Sequence, residues 1–430
     1  MIVLLTPIML ILLFLIFHWR MSCIRNPNLF VIVFVRDYLI LTSLGYIYYS
    51  NIENFKSHYI LKNLADQSPL YSAVLASVYF IVVFGVCFYV FRDFIFKRLI
   101  NINVACNYRR YILYLHKITI IMIVALTYYV ISNYESILFA LGGASSLKIA
   151  ALRAQVTQGY DNWFWKIVLF SWIPMVGFSW MYILLKFGKI IDSRFKLVGV
   201  IAILFGFIAT ILGFEKARVA FYFIGLVGIY LYTGRAFGIF KWVVLITSVL
   251  MIVSVGYIIT YNDKGVNVEY LLNIIPHRIF TQSVGSIVSF YLYPDVFEFK
   301  GLSGISRLLA SLVNERFSSP YADMIDYMVP ESKDVSGSLS SFATGEAYAL
   351  FGIFGIFISP VLTSIYYAFV DATRFANMSK IFWAPLYGLF FSMPFLASSV
   401  YSFFWPVGLF YSMAPFIVIF VMSCGSRARS

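Results

Sequence analysis

Apolar and polar positions do not alternate along this chain; they come in blocks. Apolar runs occupy residues 1–17, 28–49, 69–91, 111–132, 164–185, 197–213, 219–234, 239–260, 347–370, 381–400 and 404–423. An α-helix needs ~20 such residues to cover ~30 Å of hydrocarbon while bonding its own backbone amides. The blocks predict about eleven membrane-spanning helices. The last two come from one apolar run, which Pro394 and Pro406 divide into a hairpin. One polar stretch of 86 residues, Tyr261 to Glu346, interrupts the series. The expected fold is an all-α polytopic integral membrane protein in three parts. Residues 1–260 carry spans 1–8, residues 261–346 form one large extracytoplasmic loop, and residues 347–430 carry spans 9–11 and a short tail.

Composition agrees with the blocks. The chain is 61% hydrophobic and 12% charged, with mean hydropathy +0.87 and with 44 Phe and 32 Tyr. A soluble chain of this length has no interior large enough to hide that surface. The formal charge of +13 suggests nucleic acid at first sight. However, Lys and Arg gather at the span ends, where they orient helices and meet anionic headgroups. No nucleic-acid partner is expected.

Charge also sets orientation. Loops 18–27, 92–110, 186–196, 234–241, 371–380 and the tail 424–430 hold 17 Lys and Arg in 65 residues. The alternate loops, 51–68, 133–163, 214–218 and 261–346, hold 12 in 140. The positive-inside rule makes the first set cytoplasmic. The N-terminus and the long loop then face out, and Arg427 and Arg429 face in. The first apolar run lacks a preceding basic region and a small-residue cleavage site, and reads as a retained span. None of the cysteines, Cys23, Cys87, Cys106 and Cys424, falls in an outward loop, so no extracytoplasmic disulfide is expected.

Within the long loop, Leu302, Ile305, Leu309 and Leu312 share one helical face with Arg307 opposite, predicting a short helix in the membrane interface. Ser283 to Tyr293 is apolar but too short to span, as a re-entrant or interfacial helix would be. Arg36 and Asp37 lie inside the second span; neighbours point apart on a helix, so each is expected to pair with another helix. The Gly352/Gly355 pair reads as a site of close helix packing.

Catalytic signatures are sparse. The outward loops carry no phosphate-binding glycine loop, no nucleophile elbow, no metal-spaced His or Cys pair and no Asp-x-Asp. No metal or cofactor is expected. What they carry is cations beside apolar segments: Arg153 before a span, Lys216 and Arg218 in a tight turn, Arg278 where the loop opens, and Arg307 farther on. Guanidinium forks and ammonium groups at headgroup level suit a lipid-linked diphosphate and the charge that develops as it departs. Each such cation also suits plain snorkelling to headgroups. Glu346 is a candidate general base or a helix N-terminal carboxylate, and His277 a candidate base or a solvated loop histidine.

The order of these elements resembles the Wzy-type O-antigen and capsule repeat-unit polymerases, which are polytopic proteins with a large periplasmic loop. Thr157-Gln-Gly159-Tyr160 after a basic segment is similar to that family's Arg-rich stretch ending in Gly-Tyr. Gly213-Phe-Glu-Lys216 resembles its Gly-x-x-Lys turn. Ile305-Ser306-Arg307 resembles its Ile-Pro-Arg element, with Ser306 in place of Pro. Gly345-Glu346-Ala-Tyr-Ala-Leu-Phe-Gly352-Ile-Phe-Gly355 resembles its Tyr-x-x-Phe-Gly-x-x-Gly run. The resemblance covers roughly residues 140–375.

The resemblance implies block transfer of a glycan from undecaprenyl diphosphate to the end of a new lipid-linked repeat unit, at the outer face of a bacterial inner membrane. Glu346 and His277 would be catalytic, and Arg153, Lys216, Arg218, Arg278 and Arg307 would hold diphosphate or glycan. The implied partners are undecaprenyl-diphosphate-linked oligosaccharide and membrane lipid, with a chain-length regulator and a flippase of the same pathway. The rival readings are a flippase of lipid-linked oligosaccharide and a membrane sugar O-acyltransferase.

Overall fold

The computed structural model describes residues 27–99, 106–134, 163–212, 216–236, 276–277, 279–330, 340–375, 379–397 and 406–424, with a few single positions between them. The expected spans at 1–17 and over most of 239–260 lie outside the described residues. All regular elements among the described residues are helical. In chain order the helices are α1 (Leu29–Tyr49), α2 (Ile52–Ser57), α3 (Ser68–Leu99), α4 (Tyr108–Ser132), α5 (163–187), α6 (Ser193–Leu212) and α7 (Lys216–Tyr232). They continue with α8 (Thr281–Leu292), α9 (Arg307–Leu312), α10 (Pro320–Met328), α11 (Ala343–Ala372), α12 (Lys380–Ser392) and α13 (Pro406–Cys424).

The chain is an α-helical membrane protein. α1, α3, α4, the Val168–Phe187 part of α5, α6 and α11 are long and apolar enough to cross a bilayer. The last apolar run breaks where its prolines predict: α12 ends at Ser392, Phe395–Ala397 forms a 3-10 turn, and α13 opens at Pro406.

Four chain segments meet at one end of the bundle. Asp371 near the end of α11 is fully buried and accepts from the Leu29 amide at 3.1 Å, closing the start of α1. Asn28 caps the same helix by accepting from Val31 N–H at 3.0 Å. Arg92 of α3 and Arg374 stand 3.6 and 3.9 Å from the Asp371 carboxylate. Arg374 also donates to the carbonyls of Pro27 and Leu231, tying in the end of α7. This is the basic end of the bundle. The opposite end, at Tyr49 and Ser68, is the loop end.

Between the ends runs an aromatic core. Phe30 and Phe88 each stack on Phe84, and Phe84 meets Tyr367 edge-on at 5.6 Å. On α1 the stretch Val33–Ser43 is wound as a π-helix. Arg36 and Asp37 on it form a two-pronged pair with each other, at 2.5 and 3.2 Å. The expectation that each would pair with another helix therefore holds for Arg36 in part: its remaining donors bond Phe391 O and Met393 O at 2.6 and 2.7 Å. Arg36 thus caps the broken end of α12 from within the bundle.

The segment after residue 276 does not lie flat on this bundle. α8 is buried along Ser283–Ser289, packed against α1, α3 and α11. Gly285 and Gly345 let α8 meet residues 340–345 at backbone distance; a Cβ on Gly345 would stand 2.8 Å from Ser286 Cα. Phe342 then lies deep, its ring 5.2 Å from Phe80 and 6.2 Å from Tyr38. Phe80 precedes Arg92 by twelve residues, or about 18 Å of helix at ~1.5 Å per residue.

From that depth α11 climbs toward the loop end and turns back. Thr344 bonds Ser77 at 3.2 Å, yet Phe357 meets Tyr79 edge-on at 5.2 Å. In a straight helix thirteen residues would separate those levels by ~20 Å. The turn is at Gly352, with φ 60° and ψ −143°, a conformation essentially confined to glycine. Gly355 then passes directly over the Ala347 carbonyl. The glycine pair serves close packing, as the spacing suggested, but between the two helical limbs of one chain segment that meet at Gly352.

Candidate functional site

The first of the two sequence-predicted catalytic residues, Glu346, lies in the first turn of α11, on the short limb before Gly352. Its side chain is fully buried, and Tyr321 of α10 donates a hydrogen bond to Oε2 at 2.7 Å. Beside it is a seam of small polar groups. Tyr46 and Ser77 share a hydrogen bond at 3.0 Å, Ser286 Oγ accepts from Phe342 N–H at 3.1 Å, and Ser283 Oγ donates to Thr42 O at 2.8 Å. Such bonds let a polar segment sit among apolar helices, since each unmet donor or acceptor there costs several kcal/mol.

α10 is held over this limb by a further set of bonds. Lys300 N–H donates to Ala349 O at 3.1 Å, and its ammonium forms an ion pair with Asp323. Ser318 donates to Asp323 at 2.8 Å, and Ser319 and Pro320 start the helix. Tyr321 therefore reaches Glu346 from a helix fixed to the same limb. Tyr321 carried no sequence signal: its partner is 25 positions away and no motif spacing links them.

His277 is not a solvated loop histidine. It is half-buried, with Nδ1 3.1 Å from the Tyr49 hydroxyl and its ring packed on Tyr48, Tyr49 and His58. Burial holds its imidazole below the ordinary pKa, favouring the neutral ring. His58, which sequence reasoning passed over, is buried at the end of α2; its Nδ1 accepts from Ile60 and Leu61 N–H at 3.2 and 3.4 Å. Two imidazoles from distant parts of the chain are brought within 5.2 Å.

The predicted cations are dispersed. Arg218 lies on α7 with its guanidinium 3.7 Å over the Phe170 ring of α5. Lys216 is the first residue of α7. Arg307 is exposed at the first position of α9, which Ser306 caps by accepting from Leu309 N–H at 3.1 Å. Arg153 and Arg278 lie outside the described residues. The expected apolar face of that region is not one helix face: α9 starts at Arg307, Ile305 is buried before it, and Leu302 and Leu312 are exposed. Among the described residues no three His, Cys, Asp or Glu side chains gather as a metal centre requires.

The loop end therefore offers a buried carboxyl group with a phenol donor, an imidazole–phenol pair, and arginines on α7 and α9. Comparison of the chain with protein-family models, curated proteins and solved structures finds no match.

Proposed function

We propose that the protein is a metal-independent polysaccharide polymerase of the bacterial inner membrane. It would move a growing glycan from undecaprenyl diphosphate to the terminal hydroxyl of a new lipid-linked repeat unit. One observation supports the reading: α8 and the first turn of α11 are buried against α1 and α3, with Glu346 bonded by Tyr321 and His277 by Tyr49, which in this reading lie toward the outer side of the bundle, where a lipid-borne sugar diphosphate would enter. In this reading the basic end with Arg92 and Arg374 faces the cytoplasm and the loop end the periplasm, following the positive-inside rule.

Glu346 is the base that takes the proton of the accepting hydroxyl, with Tyr321 orienting its carboxylate. The sugar C–O bond to diphosphate breaks as the new C–O bond forms. Arginines of the Arg218 and Arg307 type, with Lys216, Arg153 and Arg278, offset the charge left on the diphosphate. Of these, Arg218 is the best placed to keep one position, because the Phe170 ring supports it.

A flippase is the second reading. It is favoured by the buried Arg36–Asp37 pair beside the break in α12, since charges inside spans often mark a transport path. It ranks lower because Arg36 is engaged by Asp37 and two carbonyls of the α12 end. The test is in cells and with purified protein. Loss of a polymerase leaves carrier-bound single repeat units on the outer leaflet, whereas loss of a flippase leaves none there. Purified wild type should lengthen carrier-bound repeat units and Glu346→Gln should not. Reporter fusions placing 276–346 in the cytosol would overturn the proposal.

A further inference from the structure

We infer that Tyr59, stacked on the buried His58, is a stacking platform for a sugar ring of the glycan, on the connection between α1 and α3. This rests on the polymerase reading and names a subsite that lies apart from Glu346. Six rings join there: Tyr48, Tyr49, His58, Tyr59, His277 and Phe280, each within 6.0 Å of another. Tyr59 is the exposed member, at 54%. Its ring lies on the buried His58 imidazole at 4.8 Å and 30°.

The support under Tyr59 is unusually fixed for a loop. His58 is 3% exposed and locked by the two backbone amides that Nδ1 accepts. Asn51 caps α2 through Glu53 N–H, Asn54 Nδ2 donates to Tyr48 O, and Gln67 Nε2 donates to Tyr49 O. A loop serving as a simple connector needs none of these. The arrangement presents one aromatic face to solvent without letting it collapse.

The chemistry of the patch selects the ligand. His58 uses Nδ1 as an acceptor twice and is therefore an uncharged ring in this arrangement. A neutral aromatic face takes the C–H side of a pyranose, while phenol hydroxyls and imidazole edges match ring hydroxyls. None of the six rings is itself a cation, although Lys56, Lys62 and Arg278 are near them in sequence, so the aromatic face and not a charge is what the patch offers a ligand. A quaternary ammonium ion also fits an aromatic face, and the experiment includes it.

Purified full-length protein in nanodiscs is mixed with methyl β-glucoside, methyl β-galactoside or methyl N-acetyl-β-glucosaminide, and saturation-transfer NMR reads the proximity of sugar C–H protons. At least one sugar should give a signal that falls about five-fold or more in Tyr59→Ala. It should persist in Tyr59→Phe and Tyr59→Trp, which keep the face and report that the loop is folded. With lipid-linked repeat units, Tyr59→Ala should raise KM about ten-fold with kcat within two-fold. No signal from any sugar, equal signal in Tyr59→Ala, or displacement by tetramethylammonium alone would overturn the inference. Normal elongation with unchanged KM in Tyr59→Ala overturns this subsite and leaves the polymerase reading standing. A sugar signal that depends on Tyr59, in a wild-type protein that elongates nothing, does the reverse.

Discussion

The Tyr321 hydroxyl donates to Glu346 Oε2 at 2.7 Å, joining α10 to the short limb of α11 across a carboxyl group with no exposed surface. A buried acceptor deprived of its donor bears its desolvation cost, typically ~1–3 kcal/mol. Tyr321→Phe should therefore lower the thermal unfolding temperature of the purified protein while preserving its size-exclusion profile. It should also slow elongation more than it raises KM. An unchanged melting curve would show that this bond contributes nothing.

Gly352 carries the reversal of α11 at φ 60°. An alanine there adds a Cβ about 2.9 Å from the Phe299 ring and holds a backbone conformation that costs ~1–3 kcal/mol. Gly352→Ala should reduce the yield of folded protein, and Phe299→Ala in the same chain should relieve the ring clash but not the backbone strain. Fluorescence size-exclusion of Gly352→Ala and of the double variant reads this directly, with the double variant expected to recover in part.

His277 gives a pH signature. The folded protein resists charging this half-buried ring, whereas the unfolded chain binds the proton near the ordinary value of ~6.5. Between that value and the lower folded one, the unfolded state holds more protons. Stability should thus fall as pH drops through this window and be indifferent to His277 above it. Thermal unfolding from pH 7.5 to 5 should show a decline that His277→Gln reduces. A steeper decline in the variant would contradict the assignment.

Asp371 is the common partner of Arg92, Arg374 and the Leu29 amide. Removing one member of a buried charge set typically costs ~3–5 kcal/mol, because the others stay charged and unmatched. Asp371→Ala should abolish accumulation of folded protein, whereas Asp371→Asn, which keeps an acceptor for Leu29, should be milder. Membrane-fraction blots with a detergent-stability assay distinguish the two.

The helices were readable because hydrophobic blocks and caps agree. Asn28 and Asn107 precede α1 and α4 and both accept from the first turn. The prolines at 394 and 406 lie where α12 and α13 are separated. Direction was not readable. Residues 347–370 form one apolar run whether the chain continues or doubles back, so the reversal at Gly352 left no trace in hydropathy. Arg36 and Asp37 were expected to diverge on an α-helix; the stretch is π-wound, and the two side chains converge. The imidazole pair of His58 and His277 was hidden for another reason: 219 positions of chain separate them, and only tertiary packing brings them together.

The bonds of Lys300 to Ala349 and Asp323 clamp the cover helix α10 to the rising limb of α11, and that limb ends at a single glycine pivot. The cover and the limb are consequently braced as one unit between Gly352 and the buried Phe342 ring, so a substitution that loosens α10 also loosens the hold on Glu346.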